Sequence, residues 1–165
     1  MAIARAHVLL QLAGFIDAVS PIEGGSKAGI EVSKNLTNGT AAQQASDVHR
    51  AETTVSGSGT ASIDLQALTD VHGNTITAAE IVAFAIIAGD DNAGELQLKP
   101  HATDGWTALW SGDTDHTNLE AGAALTLFCP LDGKYAVSAS NKVILVTNSE
   151  ASDMVFQLLV MTRSA

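Results

Sequence analysis

The last third of this chain is a succession of short β-prone runs, each closed by turn chemistry, and that pattern most constrains what the chain can become. Ala124 to Phe128, Tyr135 to Ser138, Lys142 to Thr147 and Val155 to Thr162 are the runs. Pro130-Leu131-Asp132-Gly133, Ser140-Asn141 and Asn148-Ser149-Glu150 separate them. Asp-Gly and Asn tolerate a left-handed backbone and proline has no N–H to give a ladder, so each separator ends a strand. Strands at roughly ten-residue spacing with no helical period between them predict a sandwich or jelly roll rather than a parallel sheet.

The middle of the chain continues the pattern. Ala51 to Ser56 is β-prone and stops at Gly57-Ser58-Gly59. Thr60 to Leu65 alternates Ala61, Ile63 and Leu65 with Ser62 and Asp64, the period of a half-buried strand. Asp64 to Thr69 reads as a short helical turn, Val82 to Ala88 as a buried strand, Glu95 to Lys99 as an alternating strand ending at Pro100, and Thr107 to Trp110 as a short strand. The first 48 residues differ. Ala2 to Ile16 fits a helix or a strand equally, Gly24-Gly25-Ser26-Lys27 and Thr37-Asn38-Gly39-Thr40 are loops, and Ala41 to Arg50 is small and polar. The expectation is an all-β chain: an antiparallel, jelly-roll-like β-sandwich over residues 49–165, preceded by an extended N-terminal arm over residues 1–48 with one or two strands.

Composition narrows the function classes. A length of 165 residues suits one domain, and 46% hydrophobic against 16% charged residues excludes a disordered chain. Aromatics supply only 4%, so Val, Ile, Leu and Ala must build the core. The longest apolar run, Ile81 to Ala88, falls far short of the roughly 18–20 residues of a membrane-spanning helix, so no membrane partner is expected. Arg5 ahead of Val8-Leu9-Leu10 has the outline of a signal peptide, but Gln11, Gly14 and Asp17 break it. Folding in a reducing cytoplasm is expected, and the single Cys129 cannot form an intrachain disulfide. Eighteen acids against eight bases give −10, which argues against nucleic acid as a partner. Nine of those acids and one base, Lys99, lie between Asp70 and Glu120. That stretch suits solvated loops, a cation site or a face for a basic partner.

No constellation for catalysis emerges. Cys129 ends an apolar strand and reads as a small core residue, and no Gly-x-Ser-x-Gly elbow is present. The histidines, His7, His49, His72, His101 and His116, are dispersed without zinc spacing. Two acidic loops have the oxygen chemistry of a calcium site: Asp90, Asp91 and Asn92 in one, Asp113 and Asp115 in the other. Neither follows the EF-hand pattern, and Asx-rich turns explain both, so no metal or other cofactor is expected. Gly24 to Gly29 lacks the spacing of a phosphate loop. Trp106 and Trp110 read as a core anchor or an interface plug, with a sugar-binding face as the alternative. With them, Ile3, Val8 and Leu10 of the arm are the candidates for an interface.

From about Gly57 onward the chain resembles the small β-sandwich virion proteins encoded beside the capsid genes of tailed bacteriophages. The resemblance is carried by Ile63-Asp64-Leu65, Gly105-Trp106, Glu120-Ala121-Gly122-Ala123 before Leu125, Asn141-Lys142-Val143-Ile144-Leu145-Val146-Thr147-Asn148 and the closing strand Val155 to Met161. It implies a capsid decoration (cement) protein or head fibre on the outer surface of a virion, made in the host cytoplasm. It further implies the major capsid protein as partner, self-association as a homotrimer, and no catalytic residues. The competing expectations are a tail- or fibre-associated module that binds carbohydrate or a receptor through Trp106, Trp110 and the acidic loops, and an enzyme using a carboxylate pair.

Overall fold

The computed structural model describes residues 5–16, 26–112, 114–131 and 134–164, with side chains from Asn35 onward. Among them there are eleven strands and no helix. They are β1 (Arg5–Ile16), β2 (Ser26–Asn38), β3 (Gln44–Ala45), β4 (Asp47–Val55), β5 (Thr60–Asp64) and β6 (Ala78–Ala88). β7 (Leu96–Pro100), β8 (Thr117–Leu119), β9 (Ala124–Phe128), β10 (Val143–Asn148) and β11 (Met154–Ser164) follow.

The strands from β4 onward form two four-stranded antiparallel sheets, one ordered β4-β11-β6-β9 and the other β5-β10-β7-β8. The chain passes from one sheet to the other and back, and its last strand lies beside its first. That connectivity is a jelly roll, two sheets that together manage their edges by packing face to face. Period two sorts the residues. In β11, Met154, Phe156, Leu158 and Val160 are buried between the sheets while Gln157 and Leu159 face outward. From the opposite sheet Leu96, Leu98, Ile144 and Val146 meet them with no exposed surface. Each such side chain contributes roughly 1.5–3 kcal/mol by leaving water.

Trp106 supplies bulk that the aliphatic core lacks. It is fully buried, its ring centroid lies 6.0 Å from those of both Phe84 and Tyr135, and its indole N–H donates to the Ala136 carbonyl at 3.2 Å. Gly105 makes this possible: a Cβ there would fall 2.2 Å from the His101 carbonyl oxygen, so only glycine closes the loop that delivers the tryptophan.

Several expectations shift. β8 lies within the acidic stretch read as loop, because three residues suffice to pair with β7. Thr107 to Trp110 is a turn closed by the Trp110 amide on the Thr107 carbonyl, not a strand. Tyr135 to Ser138 contributes only isolated bridges beside the start of β6 and to Asn141. Asp64 to Thr69 holds a single turn, Ala67 N–H to Asp64 O, reinforced by the Asp64 carboxylate accepting the Gln66 amide. The expected turn at Asp132-Gly133 lies outside the described residues.

The N-terminal region is a β-ribbon. β1 and β2 pair antiparallel from Arg5↔Thr37 to Ile16↔Ser26, and β3 joins the base of β2 in parallel. Leu36 and Ala45 are fully buried with Val82, against Phe128 and Met161. Leu36 and Ala45, within the arm expected over residues 1–48, therefore pack on the sandwich.

Candidate interaction surface

Strand pairing sorts the ribbon into two faces. Ala6, Val8, Leu10, Leu12, Gly14 and Ile16 pair with Leu36, Lys34, Val32, Ile30, Ala28 and Ser26, and directly paired residues share a face. That face is apolar except for Lys34 and Ser26. The alternate positions carry Arg5, His7, Gln11, Lys27, Glu31 and Asn35, with Leu9, Ala13 and Phe15 among them, so that face is mixed and the first is the more apolar. Val8 and Leu10, two interface candidates from the sequence, thus occupy the apolar face, while Ile3 lies outside the described residues. Beyond its base the ribbon makes no substantial contact with any sandwich strand. β1 pairs with β2 alone among the described strands, so its other edge is open.

The ribbon emerges beside the outer face of the β4-β11-β6-β9 sheet. Register across the sheet defines three outward rows: Val48-Met161-Ala83-Phe128, Arg50-Leu159-Ala85-Thr126 and Glu52-Gln157-Ile87-Ala124. Leu36 covers the first row. The second and third are open, with Leu159 37% and Ile87 43% exposed. At their far side Glu52, Ile87, Gly89, Asp90, Val155 and Gln157 line a shallow depression of about 200 Å³. The outer face of the other sheet carries Thr60, Ser62, Gln97, Lys99, Asn118, Leu145 and Thr147, a mostly polar set.

Arg163 fixes the base of the ribbon. It is 1% exposed, donates from Nε to Glu80 at 2.8 Å, and sends three further N–H groups to the carbonyls of Ala41, Pro130 and Leu131. One planar guanidinium thereby ties the β2–β3 connection to the loop after β9 and to β6. The sequence reading missed Arg163, since a charged residue near the end of a strand gives no hint of burial.

The other sequence candidates separate. Trp106 and Trp110 are buried in the body: they are 0% and 8% exposed, and the Trp110 indole N–H donates to Thr117 Oγ1. An aliphatic core short of aromatics absorbs both. Asn92 has its side chain committed to the backbone, accepting the Val155 N–H at 2.8 Å and donating to the Val155 carbonyl at 2.9 Å. Asp90 and Asp91 are exposed in the same turn, and Asp115 accepts the Ser111 amide. Asp113 lies outside the described residues. Among the described residues no three His, Cys, Asp or Glu side chains come together to hold a metal ion. Cys129 is half-buried at the end of β9.

Two carboxylates fasten loops. Asp70 accepts hydrogen bonds from the Asn74 side chain and amide and from the His72 amide, which hold its carboxyl down at about 2. Asp64 accepts from Lys142 Nζ at 2.9 Å, and that bond raises the lysine above its ordinary value.

No protein-family model and no curated protein matches this chain.

Proposed function

We propose that this chain is a structural virion protein that binds the outside of a tailed-phage capsid as a decoration (cement) protein, acting as a homotrimer and with the major capsid protein as its partner. The observation that carries the reading is the amphipathic β1–β2 ribbon projecting from a jelly-roll body. A two-stranded ribbon is marginal in water by itself, and an apolar face with an open strand edge gains by covering a neighbouring subunit or the shell. Apolar area buried across subunit boundaries, repeated over many copies, stiffens a shell. The resemblance of the chain from Gly57 onward to small phage virion proteins agrees with this reading. So does the distribution of charge, with Asp90, Asp91, Asp115 and Glu120 exposed on loops of the body. A jelly roll also serves in lectins, so the fold alone does not choose. Burial of Trp106 removes the aromatic platform on which the carbohydrate-binding alternative relied.

The test is co-sedimentation of the purified protein with undecorated tailed-phage capsids, with shell stability then read by heating. Binding that saturates and raises the temperature of capsid disruption supports decoration. A protein that stays in the supernatant at all concentrations, while binding cells or glycans, overturns it.

A further inference from the structure

We propose that the open outer face of the β4-β11-β6-β9 sheet is the docking surface for the β1–β2 ribbon of a second copy of this chain. This assembly forms without a capsid and does not depend on the capsid reading.

Three observations converge on a second copy as the occupant. Leu36, which shares its ribbon face with Val8, Leu10, Leu12, Ile30 and Val32, already covers the first outward row of this sheet. The fit between the two surfaces is thus realised at the ribbon's base, and beyond it the open rows set Leu159, Ala85, Ile87 and Ala124 among Arg50, Thr126, Glu52 and Gln157. Leu159 and Ile87 stand exposed in the second and third rows. Charge points the same way. The paired strands of the ribbon carry Arg5, Lys27 and Lys34 against Glu31, whereas residues 47–165 carry fifteen acids and five bases. Lys34 is the one charged residue at the register positions of that ribbon face, and Glu52 and Asp90 border the depression at the end of the outward rows. Size closes the argument. Twelve paired residues extend about 40 Å, enough to span a neighbouring sandwich. Every copy owns both halves, so a closed ring or a reciprocal pair leaves none open.

The test uses the full-length protein without capsids. Sedimentation velocity should show an oligomer. Leu159→Glu and Ile87→Glu, both at exposed positions, and Leu10→Glu on the ribbon should each weaken association by about tenfold or more by setting a charge in the apolar contact. Lys34→Glu should weaken it too, and pairing that change with Glu52→Lys should restore it. In a Cys129→Ser background, a mixture of Leu10→Cys chains and Leu159→Cys chains of distinguishable mass should yield a mixed disulfide on oxidation. A wild-type monomer at tens of micromolar overturns the proposal. So does an oligomer indifferent to both sets of variants, or a Leu10→Cys/Leu159→Cys double variant that closes only within one chain. An oligomer of the expected kind that ignores capsids would leave this assembly standing and sink the decoration reading alone.

Discussion

Replacing Arg163 tests how the ribbon is held. Arg163→Met keeps much of the apolar stem but removes the guanidinium from a site where the side chains of Arg163 and Glu80 are 2% and 13% exposed. Glu80 then loses the guanidinium beside it at a site with little water, and the carbonyls of Ala41, Pro130 and Leu131 lose a charged donor. Removing one partner of a buried ion pair costs about 3–5 kcal/mol, and the carbonyl losses overlap with that figure rather than adding to it. About 4 kcal/mol is a large share of the roughly 5–15 kcal/mol that holds a domain folded. At about 2–4 °C per kcal/mol for a chain of this size, Tm should fall by roughly 6–20 °C. Urea unfolding followed by far-UV circular dichroism measures the loss. Hydrogen exchange at the Gln43 amide, which donates to the Pro130 carbonyl at 2.7 Å, reads the ribbon base directly. Arg163→Lys should fall between the two, since an ammonium holds the charge but cannot serve three carbonyls and a carboxylate at once. A loss below about 1 kcal/mol with unchanged exchange at Gln43 would refute the assignment of Arg163 as the anchor.

Other substitutions probe separate parts of the sandwich. Asn148 is fully buried, donates to the carbonyls of Val55, Ser56 and Ser152 and accepts the Glu150 amide, so Asn148→Ala should cost about 2–3 kcal/mol in chemical unfolding. Thr162→Val should be neutral or stabilising by up to about 1 kcal/mol, because the Thr162 hydroxyl is buried without a hydrogen-bond partner among the described residues. Asp70 should titrate at about 2, below its ordinary 3.8. Its lowered value means the Asp70–Asn74 turn gives its full stability above the ordinary value and loses it as the pH falls through about 2. Carboxyl NMR shifts and exchange at the His72 and Asn74 amides follow that loss, and a midpoint near the ordinary value would contradict the hydrogen-bond geometry.

Much of the sandwich was legible because its strands obey period two. β9 was read with its observed bounds, and β5, β7, β10 and β11 lie within a few residues of the runs that predicted them. The outer sheet face was also written in the sequence, though unread. Leu158-Leu159-Val160-Met161 and Ile81 to Ala88 are apolar at both parities, which a strand with one wet face would not be. β8 escaped because three residues among acids and turn formers carry too short a pattern to recognise. The calcium reading of Asn92 turned on side-chain chemistry that could equally serve the backbone, and only proximity to Val155, distant in sequence, decided between them.

By itself, then, the sequence determined an all-β chain of short alternating strands and an acidic body, because period and turn residues act over a few neighbours. The tertiary structure decided which strands share a sheet, that the tryptophans are core, that Arg163 is buried, and that Leu36 belongs to the body. Those outcomes depend on pairings between residues more than a hundred positions apart, such as Asp47 with Thr162, and no local pattern encodes the partner.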